Sequence, residues 1–366
     1  VGGCLDVPSR HKMDEYIRSI DNKFMPTLNG PEESIFEYFV DSNGEWVFWK
    51  PPSWTYPTGE KLDFSNLLVP TMDSTRANYN MFHMHKQRKS VCLVGGEGTA
   101  KTSCALMFFA TLDPAEMLVK RVNFSSATTP FMAQQSIEVE LEKRGGKDFG
   151  PPGGRKMTIF MDDVSMPEIN KWGDQPTLEM VRLFVEWSGF YFLDKDKRGD
   201  FKTCKDLQYM AAMQNPTGGK NDVPNRLKRN FFIFNMVLPS IVSINDMYGQ
   251  MLKGRFPSKE NEQDTLDVVG KLTTGTISLW RTMQSKMLPT PAKFHYIFSL
   301  RELSRVFQGI MLAPKETLKT GGFRCEGKNA PSKFEGGGVT LLRIWKHECE
   351  RVFSDKLTNL KDKATY

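Results

Sequence analysis

The sequence lacks a long hydrophobic run, paired cysteines and a block of basic residues, and each absence excludes a class of protein. The longest apolar candidate, residues 231–244, is interrupted by Asn235, Pro239 and Ser240, so it is a poor membrane helix. The first residues do not have the pattern of a secretory leader, so none is expected. Since the chain begins with Val1 instead of methionine, we expect it to be a piece of a longer protein.

The cysteines and the charges favour a soluble cytosolic protein. The six cysteines contain no C-x-x-C pair, which predicts reduced thiols that fill the core. A net charge of +6 is spread along the chain, which is weak support for a nucleic-acid partner. With 39% hydrophobic and 25% charged residues, the composition is that of a globular protein, and 366 residues fit two or three packed units.

A phosphate loop is the most informative motif present. Residues 95–102 match the pattern G-x-x-x-x-G-K-[ST] except that Ala100 replaces the last glycine. Lys101 can place its ammonium against phosphate oxygens, and Thr102 can offer its hydroxyl to Mg²⁺. The loop residues expected to contact ATP or ADP are Gly95, Gly96, Glu97, Gly98, Thr99, Ala100, Lys101, Thr102 and Ser103.

Ala100 is compatible with this motif if its backbone is right-handed. We expect that conformation because the residue precedes the predicted helix 101–111. The alternative is a glycine-rich strand-to-helix turn without a ligand.

The order of predicted elements indicates an α/β fold, a parallel sheet sandwiched by helices, followed by a small helical lid. An Asn-Gly turn at 43–44 predicts a hairpin. Prolines then place a boundary near residue 58. We therefore predict a junction at 1–58, a nucleotide-binding subdomain at 59–239 and a helical subdomain at 240–366.

Buried strands and amphipathic helices alternate in the middle of the chain. The predicted strands are 90–94, 120–124, 157–161, 208–213 and 231–235. The predicted helices are 101–111, 131–143, 244–252, 262–285, 299–311 and 341–357, with a mobile loop at 320–338.

Two carboxylates follow the strand 157–161, at the edge of a parallel sheet where ligands bind. Asp162 is the candidate Mg²⁺ ligand, and Asp163 is the candidate base that activates water. Hydrolases of this kind generally use glutamate, which is longer by about 1.5 Å. Because a misplacement of about 1 Å can cost about 10²-fold in rate, slow hydrolysis is expected. A pair of aspartates capping a turn is the alternative.

Four further polar residues are candidates with equally simple structural alternatives. Asn215 can orient a water near the γ-phosphate or form a turn beside a proline. Arg226 and Arg229 can act as arginine fingers or belong to a solvated basic turn. Arg301 can couple nucleotide state to the lid or lie on the surface of its helix.

Longer segments resemble the third AAA+ module of an axonemal dynein heavy chain. They read Asn-Phe-Ser-Ser-Ala-Thr-Thr-Pro at 123–130, Ile-Phe-Met-Asp-Asp-Val-Ser-Met-Pro at 159–167, Trp-Gly-Asp-Gln at 172–175, Gly-Gly-Lys-Asn-Asp-Val-Pro at 218–224 and Trp-Lys-His-Glu-Cys-Glu-Arg-Val-Phe at 345–353. The resemblance runs from about residue 34 to the last residue and is densest over 91–234. An alanine before the loop lysine is usual in that module.

This resemblance implies a regulatory nucleotide site in a ring of six modules, within a microtubule motor of cilia and flagella. Leu68, Val69 and Pro70 would border the adenine. Arg226 and Arg229 would serve the site of the preceding module, whereas this site would receive an arginine from the following one. Microtubules would be contacted only through the stalk, and no nucleic acid or membrane is implied. A scaffold module with little nucleotide affinity, or an independent ATPase acting on nucleic acid, are the alternatives.

Overall fold

The computed structural model describes residues 2–31, 33–57, 64, 67–193, 195–197, 199–216, 220–258, 261–314 and 337–366. The chain forms two compact units. The first unit contains Val1–Lys50 and Met72–Leu238, and the second contains Pro51–Thr71 and Pro239–Tyr366. The three-part division at residues 58 and 239 stays a prediction.

A five-stranded parallel sheet forms the centre of the first unit, in the order β11-β3-β10-β7-β4. Its strands are β3 (Val91–Val94), β4 (Met117–Asn123), β7 (Lys156–Asp162), β10 (Leu207–Met213) and β11 (Phe232–Asn235). The strands β3, β7 and β10 are apolar and almost wholly buried, as expected for a parallel sheet covered on both faces.

Helices cover both faces of this sheet. They are α2 (Met72–Lys86), α3 (Lys101–Phe109), α4 (Pro130–Glu138), α5 (Pro176–Trp187) and α6 (Asn225–Lys228). Alternate residues of β7 enter different cores: Ile159 packs with α4 and α5, whereas Phe160 packs with α2 and α3. The predicted α/β fold class is therefore confirmed.

The helix predicted at 131–143 is wrong at its end, because α4 stops at Glu138 and the chain enters a second sheet. That sheet has the order β5-β6-β9-β8. Its strands are β5 (Glu142–Gly145), β6 (Asp148–Gly150), β8 (Gly189–Tyr191) and β9 (Phe201–Cys204). The helix-favouring residues Glu142 and Lys143 of β5 pair antiparallel with β6, so tertiary pairing overrides their local preference.

The predicted hairpin is present near the start of the first unit. Helix α1 (Val7–Ile20) precedes strands β1 (Tyr38–Val40) and β2 (Trp46–Phe48), which pair antiparallel. Gly44 in the connecting turn has φ +86°, a conformation that glycine adopts without strain. The Asn-Gly signal thus located the turn correctly.

The second unit is helical, as predicted for the end of the chain. Its helices are α7 (Ile241–Arg255), α8 (Gln263–Lys286), α9 (Leu300–Leu312), α10 (Gly337–Cys349) and α11 (Leu360–Thr365), and a π-helical turn at Glu350–Ser354 follows α10. Its core includes Leu303, Val306 and Phe307 of α9, together with Leu67 and Val69 from the earlier segment. Most of the loop predicted at 320–338 lies outside the described residues.

No described helix combines the length and the apolar character that crossing a membrane requires. Cys92 and Cys104, which flank the phosphate loop, are buried, and burial raises the pKa of each thiol to about 12. They are packing residues, as predicted. Cys325 lies outside the described residues.

Substitutions at two glycines of α7 test how the segment 51–57 packs within the second unit. A Cβ at Gly254 would lie 2.3 Å from the Cβ of Tyr56, an atom that no rotamer change can move. A Cβ at Gly249 meets nothing within 4 Å. We expect Gly249→Ala to raise the free energy of unfolding by about 0.5–1 kcal/mol, since alanine favours a helix. Gly254→Ala should lower it by at least about 1 kcal/mol through overpacking.

Chemical denaturation of both variants checks this. An equal gain from both substitutions would contradict the packing of Tyr56 on α7.

Candidate functional site

The phosphate loop connects β3 to α3 at the carboxyl edge of the central sheet. The Gly95 N–H donates to the Met213 carbonyl at the end of β10 (3.2 Å). A Cβ at Gly95 would lie 2.4 Å from the carbonyl oxygen of Met236, so the backbone leaves no room for a side chain. Gly98 has φ +74°, which again suits glycine. These two glycines shape the loop.

The expectation that Ala100 has a right-handed backbone is wrong. Its φ and ψ are 58° and 25°, in the left-handed region, and it caps α3 without a side-chain hydrogen bond. The Cys104 N–H donates to the Ala100 carbonyl at 2.8 Å, so the amides before it point out of the helix end. The loop needs a left-handed residue here, and alanine supplies it at a cost of about 1–2 kcal/mol.

The Lys101 ammonium lies inside the loop. It donates to the carbonyls of Gly95 (3.0 Å) and Gly96 (2.7 Å) and approaches the Thr99 hydroxyl at 3.4 Å. The Thr99 hydroxyl itself donates to the Gly96 carbonyl, which closes the loop. Lys101 is only 9% exposed, so a positive charge is held in the concavity where a phosphate would bind. Of the remaining predicted loop residues, Glu97 is exposed and Ser103 is partly buried.

Asp162 meets the loop directly. The Thr102 hydroxyl donates to its Oδ2 at 3.0 Å, although the residues are 60 positions apart. Asp162 is the last residue of β7, and its side chain is 10% exposed. A hydroxyl and a carboxylate beside a buried lysine and a helix N-terminus form a donor set that fits a magnesium-bound polyphosphate.

Asp163 and Asn215 follow neighbouring strands at the same edge. Parallel pairing of β10 with both β3 and β7 aligns Met213 with Val94 and Ala211 with Met161. Asp163, two residues beyond Met161, has φ +54°, a left-handed conformation that aspartate tolerates better than most residues. Asn215, two residues beyond Met213, is exposed. The structure thus brings both to the edge that carries the loop.

Arg226 and Arg229 lie on the surface around α6, and their side chains are 64% and 63% exposed. Arg226 is 3.6 Å from Glu179, and Arg229 is 2.8 Å from Glu186, both carboxylates of α5. Exposed ion pairs contribute only about 0–1 kcal/mol. A stronger anionic partner could therefore recruit these arginines.

The remaining predicted residues belong to the second unit. Val69 is buried in that unit's core, whereas Leu68 and Pro70 are partly buried. The Arg301 side chain is exposed in the first turn of α9, and its backbone N–H donates to the Ser299 hydroxyl at 3.2 Å. Its side chain is thus on the surface of the helix, with the apolar face of α9 pointing inward.

Sequence reasoning missed Arg121 and Asn123 on β4. The Arg121 guanidinium donates to Asp162 Oδ2 at 2.7 Å. Asn123 is the register partner of Asp162 across the β4 and β7 pair. The signal available in the sequence was a charged residue and an amide at alternate positions of a strand leading to the ligand edge.

The strained backbone at Ala100 can be tested with two alanine-to-glycine substitutions, which should change the free energy of unfolding in opposite directions. We expect Ala100→Gly to raise the free energy of unfolding by about 1 kcal/mol, because glycine adopts the left-handed conformation freely. Ala105→Gly, inside α3 and fully buried, should lower it by about 1 kcal/mol or more. Denaturant unfolding of both variants measures the difference. A loss of stability in Ala100→Gly would contradict the assigned backbone conformation.

Family comparisons match almost the entire chain. Residues 56–239, half of the chain, match the model of the P-loop containing dynein motor region. Residues 251–363 match the dynein heavy chain ATPase lid domain, and residues 1–51 match the dynein heavy chain AAA lid domain.

Similar relatives include the dynein gamma chain of the flagellar outer arm from Chlamydomonas reinhardtii, which is 45% identical over 99% of this chain and 8% of its own length. Dynein axonemal heavy chain 5 from Rattus norvegicus is 41% identical over 99% of this chain and 10% of its own length. Dynein axonemal heavy chain 8 from Homo sapiens is 41% identical over 100% of this chain and 8% of its own length. The chain thus spans a tenth or less of these relatives. It belongs to the dynein heavy chain family, as a P-loop containing dynein motor region with lid domains.

Proposed function

We propose that this chain is the third AAA+ module of an axonemal dynein heavy chain and that it works as a nucleotide-gated regulatory site. The observation that carries the proposal is the hydrogen bond from Thr102 to Asp162 beside the buried Lys101 ammonium. This arrangement joins a hydroxyl and a carboxylate at the sheet edge, next in the chain to a lysine whose ammonium lies inside the phosphate loop. Such a site suits ATP or ADP with Mg²⁺.

Mg²⁺ would depend on the nucleotide for much of its coordination. Among the described residues, no group of three or more His, Cys, Asp or Glu side chains could hold a metal ion. Mg²⁺ usually keeps several waters and binds through one or two carboxylates plus substrate phosphates. Thr102 and Asp162 would supply the protein ligands, and the ion would supply charge neutralisation at the phosphates.

Hydrolysis at this site would be slow. Asp163 would position the attacking water with a side chain about 1.5 Å shorter than glutamate, and Asn215 would orient the same water. An arginine from the following module would complete the site. In return, Arg226 and Arg229 would serve the site of the preceding module, and their weak surface pairs with α5 would be easy to exchange.

The second unit would contribute the response to nucleotide. Leu68, Val69 and Pro70 would border the adenine, and Arg301 would couple the phosphates to the helical unit. Nucleotide binding would then change the contacts that these residues make, as ligand-gated coupling requires.

The setting would be the axoneme of a cilium or flagellum. The relatives with 41–45% identity carry the words axonemal or flagellar in their names. The partners would be the adjacent modules of the same heavy chain, and microtubules would be contacted only through the stalk. We propose no nucleic-acid or membrane partner.

Removal of the loop lysine tests nucleotide binding. The parent chain should gain thermal stability with ADP or ATP, since a ligand that binds only the folded state stabilises it. Lys101→Ala should abolish that gain. Lys143→Ala, an exposed lysine of β5, is the matched control and should keep it. A differential scanning fluorimetry series that shows equal nucleotide gains in Lys101→Ala and the parent would sink the proposal and favour a scaffold module.

Substitutions that change the side chain at position 163 test whether the short aspartate makes nucleotide hydrolysis slow. We expect a low rate of phosphate release from the parent chain and a rise of about tenfold or more in Asp163→Glu, because the carboxylate gains reach. Asp163→Asn should release phosphate no faster than the parent. Brisk turnover by the parent chain would contradict the proposed regulatory role.

A further inference from the structure

The Arg121 guanidinium binds the Asp162 carboxylate, which is the proposed ligand of Mg²⁺. Its Nη2 lies 2.7 Å from Asp162 Oδ2, and the Thr102 hydroxyl lies 3.0 Å from the same oxygen. A carboxylate oxygen offers about two acceptor positions. Both positions of Oδ2 are therefore in use.

The two partners of this ion pair are held unequally, since Asp162 is buried and Arg121 is partly exposed. Arg121 is paired in register with Phe160, two residues before Asp162, so the two side chains lie on the same face. β4 is an edge strand, and the Arg121 side chain is 43% exposed, whereas that of Asp162 is 10% exposed. An arginine at such a position can leave for water while the carboxylate stays in place.

We propose that Arg121 is the resident counter-ion of Asp162 and that it weakens the binding of a divalent cation at this carboxylate. The inference rests on the proposed nucleotide site and names a specificity-determining residue within it. Two cations on one carboxylate oxygen repel each other, and Mg²⁺ demands oxygen ligands at about 2.0–2.1 Å in near-octahedral order. Engagement of Asp162 Oδ2 by the metal therefore requires that Arg121 withdraw from that oxygen.

Because Arg121 and Mg²⁺ would compete for Asp162, the Mg²⁺ concentration would decide which of them binds the carboxylate. At low Mg²⁺, the carboxylate is neutralised by Arg121, and nucleotide would bind through the loop amides and Lys101. At higher Mg²⁺, Asp162 would hold the ion, and the Arg121 guanidinium would turn to solvent. The site would thus hold nucleotide over a wide range of Mg²⁺ and recruit the metal only above a raised threshold.

The test is a magnesium titration of the 366-residue chain with a fluorescent ADP analogue at fixed concentration. In Arg121→Gln, the MgCl₂ concentration of half-maximal effect should fall by about tenfold, because the competing charge is gone while a hydrogen-bond donor remains. The Kd of the analogue in EDTA should change by less than about threefold. Arg121→Lys keeps the charge and should stay near the parent midpoint.

Two further variants separate the outcomes. Arg144→Gln removes another arginine that pairs with a carboxylate, Asp206, and should leave the midpoint unchanged. Asp162→Asn should remove most of the magnesium dependence. An unchanged or raised midpoint in Arg121→Gln, with Asp162→Asn behaving as expected, overturns the role of Arg121 but leaves the nucleotide site standing. A parent chain that does not bind the analogue at all overturns the proposed function itself.

Discussion

The hydrogen bond from the Thr102 hydroxyl to Asp162 joins the start of α3 to the end of β7, and the site is built around it. The bond exists because β3, β10 and β7 run parallel in adjacent positions, so that their carboxyl ends share one edge. A slip of one residue in the pairing would turn Asp162 to the opposite face. The strand register, which is set by buried apolar side chains on both faces, therefore positions the Asp162 carboxylate at this edge.

The loop is prepared for a polyanion by its own geometry. The Lys101 ammonium donates to the neutral carbonyls of Gly95 and Gly96. A loop carbonyl oxygen is neutral, whereas a phosphate oxygen carries negative charge and attracts the ammonium more strongly. Phosphate oxygens could thus take over the ammonium from the loop carbonyls, and the strained backbone at Ala100 would be tolerated because the rest of the loop determines it.

The sequence predicted the main elements and the candidate site because both depend on local signals. Largely apolar runs located four strands of the central sheet, and the glycine pattern located the loop. The strand predicted at 120–124 overlaps β4, which begins three residues earlier, at Met117. The second sheet was missed because β5 consists of Glu, Lys, Arg and Gly, whose strand pairing depends on distant β6 and β9 neighbours. The left-handed backbone of Ala100 depends on three-dimensional packing that no local pattern encodes. The alternate polar positions of β4 were a local signal, but only the pairing of β4 with β7 shows that Arg121 contacts Asp162.

The second unit is discontinuous in the chain, since Pro51–Thr71 belongs to it although most of it begins at Pro239. Leu67 and Val69 fill its core from that earlier segment. The polypeptide therefore passes between the units three times instead of once. A single cut at residue 238 would not yield two complete pieces, because the later fragment would lack part of its apolar interior. Synthesis must also finish the later helices before the early segment finds its partners, which links the folding order of both units.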